Sequence, residues 1–240
     1  IMSHNCLFAL IGDDVHVERY FEALLFSDFN CNVIKCDRRI VEEKEIHDLI
    51  ISEPYYLENN PDFRIPASVN RVYLEKLPFH DVLKLHEFLD RHADIRIYVN
   101  HVRLFEEKKY DMSDLNRQIN TIVWPNVKKD NMDPIWHTLP NTFDWICRQF
   151  GYSIADFVLL DVVRRSDDVV VDCSAGNNRF NVVVTSSYSE NRIVFNDRFL
   201  DWPNYIDLLN AAVFKRHEYN YKIDHTIYET FLISSIREAL

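Results

Sequence analysis

The sequence predicts a mixed α/β protein of α+β arrangement: a small N-terminal β-α-β-α unit, then repeat-like strand–helix units, then a C-terminal β-meander with helices. Three observations predict it. Short apolar runs alternate with amphipathic segments over residues 6–51. Strand-like and helix-like stretches then recur with a period of roughly 25–30 residues between 69 and 163. Residues 168–196 hold three β-branched or alternating runs, joined by the turn-forming stretches SAGNN and SYSEN.

In order along the chain, CLFALI (6–11) is an apolar run of strand length. Val15–Phe26 places Val17, Phe21, Leu24 and Leu25 at helical spacing. NVIK (32–35) returns as a second strand, and Val41–Ile51 reads as a helix with acids in its first turn and Ile46, Leu49 and Ile50 on one face. Pro54, Pro61, Pro66 and the pair Asn59-Asn60 then break the pattern. This gives domain bounds of 1–52 for the β-α-β-α unit, 53–68 for a linker or long loop, and 69–240 for a repeat-like α/β interaction domain.

Within that last part, Val69–Leu74 and Ile95–Leu104 alternate as strands around a helical segment that starts at Pro78. Ser113–Ile119 reads as a short helix, and TIVWPNV (121–127) as a strand edged by Pro125. Thr142–Phe150 is a helix stopped by Gly151. Tyr152–Val163 fits either helix or strand. Strands follow over Asp168–Cys173, Arg179–Ser186 and Arg192–Asn196, then helices over Trp202–Phe214 and Thr226–Leu240, the latter opening on the capping-box spacing Thr226 to Glu229.

The net charge is −11. An acidic chain lacks the footprint of a general nucleic-acid binder, so direct nucleic-acid contact is not expected. The glycines number three, Gly12, Gly151 and Gly176, and cannot write a glycine-rich phosphate cradle. Five cysteines without a framework spacing point to reduced thiols and a cytoplasmic or nuclear location. No apolar run reaches the ~18 residues of a membrane helix.

The stretch VVVDCSAGNN (169–178) has the outline of a cofactor turn: an apolar strand, an acid at its end, then small residues and a glycine. It resembles the first motif of S-adenosylmethionine-dependent methyltransferases, which would place Asp172 and Gly176 at that cofactor. The following RFNVVV has strand propensity where such a domain needs a helix, so the competing expectation is a hairpin with positive φ at Gly176 or Asn177. Asp13-Asp14 reads as a helix cap rather than a cation site. His80, His86 and His92 are six apart and do not converge on one helix face. Trp136, Trp202 and Tyr205 are the candidate partner-binding aromatics, since exposed Trp and Tyr are the usual interface anchors.

The run SVNRVYLEKLPFHDVLKLHEFLDRHADIRIYV (68–99), with the later VVVDC and NRIVFNDRFLDWPNYIDLLNAAV, resembles nematode F-box-associated domains in texture, without a visible F-box. The resemblance implies a protein-binding module without catalysis. The expected function is a non-enzymatic adaptor or scaffold subunit of an intracellular complex, with protein partners and no cofactor. The alternative is a methyltransferase-like domain, possibly degenerate, holding S-adenosylmethionine.

Overall fold

The computed structural model describes residues 6–25, 27, 31–36, 46–125, 134–166, 168–185, 192–200, 204–214 and 223–240. It is mixed α/β, as the sequence predicts. The chain divides into two compact units, Ile1–His101 with Tyr205–Thr226, and Val102–Asn204 with Ile227–Leu240. The division at 101 differs from the bounds expected at 52 and 68.

The first unit is a five-stranded, wholly parallel sheet in the order β2-β1-β3-β4-β5. Its strands are β1 (Cys6–Ile11), β2 (Cys31–Lys35), β3 (Asp48–Ile51), β4 (Arg71–Glu75) and β5 (Arg96–Asn100). The chain starts in the middle of the sheet and winds outward in both directions, so β1 and β3 flank a topological switch point. Helix α1 (Asp14–Leu25) forms because Val17, Tyr20, Ala23 and Leu24 make one buried stripe. Asp13 caps it, accepting a hydrogen bond from the His16 backbone N–H at 2.9 Å.

Residues 48–51, expected in a helix, are strand β3. All four residues of DLII are buried. A central parallel strand is covered on both faces, so it loses the alternation that identifies a strand. The remainder of that expected helix, 41–45, lies outside the described residues. The expected linker holds a single-turn helix, α2 (Tyr56–Asn59), whose Glu58 accepts from the His80 N–H at 3.0 Å and from Lys84 Nζ at 2.7 Å. That pins it to α3 (Val82–Arg91), which Asp81 caps through Leu83 N–H. The repeat-like rhythm from residue 69 is thus the second half of the wound sheet: β4, α3 and β5 are one strand–helix–strand crossover. Helix α5 (Tyr205–Phe214) joins this unit by packing on α1, with Asn210 donating to the Ala23 carbonyl at 3.0 Å.

The second unit is a six-stranded mixed sheet in the order β11-β10-β6-β9-β8-β7. Its strands are β6 (Asn120–Pro125), β7 (Phe157–Arg165), β8 (Asp168–Ala175), β9 (Asn178–Thr185), β10 (Ile193–Phe195) and β11 (Arg198–Leu200). Of the meander expected over 168–196, the β8-β9 hairpin forms, with β7 added on the far side of β8. The meander then stops, because β9 pairs in parallel with β6 and not with β10. Val169, Val171, Cys173 and Ala175 are the buried side of β8, and Val184, Val182 and Phe180 of β9 pair directly with the first three. Burial pushes the Cys173 thiol up to about 12, which keeps it an inert core residue. The stretch 112–119 holds only a single 3-10 turn, Met112–Asp114, where a short helix was expected.

Helix α4 (Pro134–Phe150) lays Phe143, Trp145 and Phe150 into an aromatic core with Phe157, Phe180 and Phe195. Gly151 ends it at φ +76, its N–H bonding the Cys147 carbonyl at 2.9 Å. A Cβ built there meets no atom within 4 Å. Gly151→Ala is therefore a clean measure of backbone cost, and urea denaturation should show a loss of about 1 kcal/mol, less for Gly151→Asn. Helix α6 (Ile223–Glu238) begins three residues before the expected cap, so Thr226 and Glu229 lie inside it, buried.

Candidate active-site crevice at the carboxyl edge of the first sheet

In a parallel sheet all strands end on one edge, and the loops that follow converge there. Four strand ends bring chemistry to that edge. β1 ends in Gly12-Asp13-Asp14, β3 in Ser52-Glu53, β4 in Glu75-Lys76, and β5 in Asn100.

Gly12 sits at φ +148, and a Cβ there would lie 2.5 Å from Ser52 Oγ. Ser52 in turn donates through its backbone N–H (2.9 Å) and its hydroxyl (3.1 Å) to the Ile11 carbonyl. The β1–α1 turn thus passes so close to the end of β3 that only glycine fits. Next to it, Asp13 binds both the backbone N–H of His16 and its ring Nδ1 (2.6 Å). Partial burial works against its charge, but the hydrogen bonds from His16 and Val15 win and hold its carboxyl below the usual range. Glu53 moves the other way: burial, then the charge of Asp13, push its carboxyl up.

Glu75 lies deeper. It is buried, and its Oε2 accepts from the Tyr20 hydroxyl of α1. Tyr20 Oη accepts in turn from Asn100 Nδ2 at 2.7 Å. Burial pushes the Glu75 carboxyl up, with Tyr20, His16 and Lys76 opposing it. Lys76 follows directly and is the one buried lysine among the described residues. A crevice bounded by Ile51, Leu74, Tyr56, Glu53 and Pro78 opens beside Glu75. Apolar walls with a few converging polar groups are the makings of a small-molecule site.

The residues singled out in the sequence are placed elsewhere. Asp172 is on β8, in the second unit, where Arg179 of β9 grips it across the hairpin, Nε to Oδ1 at 2.8 Å. Gly176 is the first residue of the two-residue β8–β9 turn at φ +57. The segment that follows is strand, so the hairpin reading holds and the methyltransferase turn is corrected: the Gly176 turn leads into β9 and not into a helix. Trp202 lies outside the described residues. Trp136 is on α4 and Tyr205 begins α5, but their side chains also lie outside the described set. Reading from sequence missed Tyr20, Glu75, Lys76 and Asn100. A strand ending in Glu-Lys before a Leu-Pro break (74–78) was the signal available.

No protein-family model matches this chain, and no curated protein matches it. Solved structures do. The chain is similar to a myo-inositol dehydrogenase from Corynebacterium glutamicum ATCC 13032, at 10% identity and TM-score 0.67, over 98% of this chain and 96% of that one. It is also similar to the WlbA (WbpB) dehydrogenase from Thermus thermophilus solved with NAD and UDP-GlcNAcA, at 12% identity and TM-score 0.64, over 97% and 94%. A dehydrogenase from Chromobacterium violaceum matches at 12% identity and TM-score 0.58, over 98% and 94%.

These likenesses correct three expectations. The F-box-associated resemblance rested on two stretches: residues 68–99, which are β4-α3-β5, a crossover texture that any wound parallel sheet shares, and the later run from VVVDC to NAAV, whose described strands belong to the mixed sheet of the second unit. The adaptor or scaffold reading gives way with it, because the neighbours along the whole length are dehydrogenases. The expectation of no cofactor, or of S-adenosylmethionine, is overturned by neighbours solved with NAD. Among the described residues no helix is long and apolar enough to cross a membrane. The chain shares the fold of these solved structures.

Proposed function

We propose that this chain is an oxidoreductase of the dehydrogenase type, acting with a nicotinamide dinucleotide on a small molecule that bears a hydroxyl or carbonyl group. The observation that carries the reading is Lys76, a lysine buried beside Glu75 at the carboxyl end of β4, where such sheets do their chemistry.

The residues present suit the dinucleotide. Gly12 keeps the β1–α1 turn free of a Cβ at the switch point. The amino end of α1 offers backbone N–H groups to a phosphate once Asp13 yields them. Glu53 offers a carboxyl partner for ribose hydroxyls. When bound, the nicotinamide supplies hydride exchange. This chain's own part is to bind, exclude water and move a proton: the Lys76 ammonium gives a proton to a substrate carbonyl oxygen or takes one from a hydroxyl. The walls formed by Ile51 and Leu74 keep the crevice apolar, which strengthens every charge interaction in it.

Nicotinamide fluorescence during titration with NADH and NADPH tests the reading. At least one should bind. Cyclic polyols and nucleotide sugars, the ligand types of the neighbours, are then screened for reduction of NAD or NADP. Lys76→Met should keep nucleotide binding and lower turnover by about 10²-fold or more. If neither nucleotide binds at millimolar concentration, the reading is wrong.

A further inference from the structure

Glu75, Tyr20 and Asn100 come from β4, α1 and β5, and their side chains meet in the core with 7%, 1% and 2% exposure. The hydrogen-bond polarity of the set is fixed. An amide Nδ2 can only donate, so the Tyr20 oxygen accepts from Asn100 and its single proton points at Glu75. The chain of donors therefore ends on one carboxyl, and that carboxyl borders the crevice.

Such an arrangement is poor economy for stability. A buried carboxyl is expensive to desolvate, and an apolar residue of similar size at this position would pack more cheaply. Residues that cost stability and are nonetheless held by converging elements gather at working sites.

We infer that Glu75 carries and exchanges a second proton at this crevice, besides the one assigned to Lys76, and that Tyr20 and Asn100 are positioning residues that hold it there. The inference rests on the reading that the carboxyl edge of β4 is the working edge. The charged and titratable groups bearing on Glu75 are His16 and Tyr20 from α1 and Lys76 from β4, with Glu53 on the same crevice. Burial raises the carboxyl, and the Tyr20 hydrogen bond restrains that rise by favouring the ionised form. Glu75 is thereby kept exchangeable instead of locked neutral.

The sign of the stability effect follows. The folded state holds this proton more tightly than the unfolded one, so stability falls as pH rises from the ordinary glutamate range to the higher folded midpoint. Glu75→Gln, which mimics the neutral acid, should remove that fall.

The test uses the full chain. Carboxyl-carbon NMR of glutamate-labelled protein follows Glu75, assigned by its loss in Glu75→Gln. Its midpoint should lie above that of free glutamate and move further up in Tyr20→Phe. NADH affinity, read by fluorescence against pH, should fall about tenfold as Glu75 ionises beside the anionic nucleotide, and stay flat in Glu75→Gln. A midpoint unmoved by Tyr20→Phe overturns the inference, as does an identical NADH pH profile in wild type and Glu75→Gln. Absence of NADH binding at every pH overturns the oxidoreductase reading, while the NMR midpoint still decides whether Tyr20 holds Glu75. If Tyr20→Phe fails to fold, Asn100→Ser replaces it, with a smaller shift in the same direction expected.

Discussion

Gly12→Ala should cost this protein about 3 kcal/mol of folding stability and abolish any ligand binding at the carboxyl edge of the first sheet. Two penalties add. At φ +148 an L side chain is strained whatever room it has. There is also no room: the new Cβ would meet Ser52 Oγ at 2.5 Å, the Glu53 backbone N at 3.1 Å and Glu53 Cβ at 3.2 Å. The hydroxyl cannot swing aside freely, because it donates to the Ile11 carbonyl. The methyl group must therefore push the ends of β1 and β3 apart, at the centre of the sheet. Chemical denaturation of wild type, Gly12→Ala, Ser52→Gly and the double variant separates the terms. Ser52→Gly should rescue part of the loss, since it removes the nearest atom and leaves the φ penalty and the backbone contact. A double variant as unstable as the sum of its singles would show that the close approach to Ser52 does not matter.

What could be read from sequence in this fold was what repeats locally. Helix α1 was legible as a helix, although of the expected stripe Val17, Phe21, Leu24 and Leu25 only Val17 and Leu24 are buried, together with Tyr20 and Ala23; β8 alternates buried and half-buried along its length. Both patterns come from one buried face. Strand β3 has two buried faces and no period, so DLII was indistinguishable from a helical fragment. Pairing between distant strands left no local trace either. β6 lies parallel to β9 with Asn120 opposite Phe180, and nothing near residue 120 announces it. The hairpin at Gly176 was legible because the strand propensity of RFNVVV decided it within ten residues.

The site was less legible than the fold, for a physical reason. Scarcity of glycine argued against a nucleotide turn, but the close β1–α1 turn needs Gly12 alone, with Asp13 capping the helix that follows. The groups that meet at the crevice are far apart in the chain: Tyr20 and Glu75 are 55 residues apart, Tyr20 and Asn100 80. Each is unremarkable in its own neighbourhood. Their convergence needs the parallel sheet, and it was the misread β3 that hid the sheet's continuity from β1 through β5.

Asp13→Ser is the second substitution expected to act strongly, and in the direction of gain: NADH affinity should rise about tenfold or more at low salt. Asp13 now spends its carboxylate on the His16 N–H and ring, inside the first turn of α1, where an incoming pyrophosphate would seek the same N–H groups. The hydrogen bonds from His16 and Val15 outweigh its partial burial and hold its carboxyl below the usual range, so neutral pH does not remove the competing charge. Serine is an equally good cap, so the helix start survives and Tm should stay nearly unchanged. The lost negative charge favours the nucleotide, while the serine cap stays neutral. Titration calorimetry at two ionic strengths reads the effect, and the gain should shrink at high salt, which already screens the Asp13 repulsion in the wild type. A loss of affinity instead would mean that Asp13 grips the ligand, through its ribose hydroxyls, and that the α1 amino end is not where the phosphates lie.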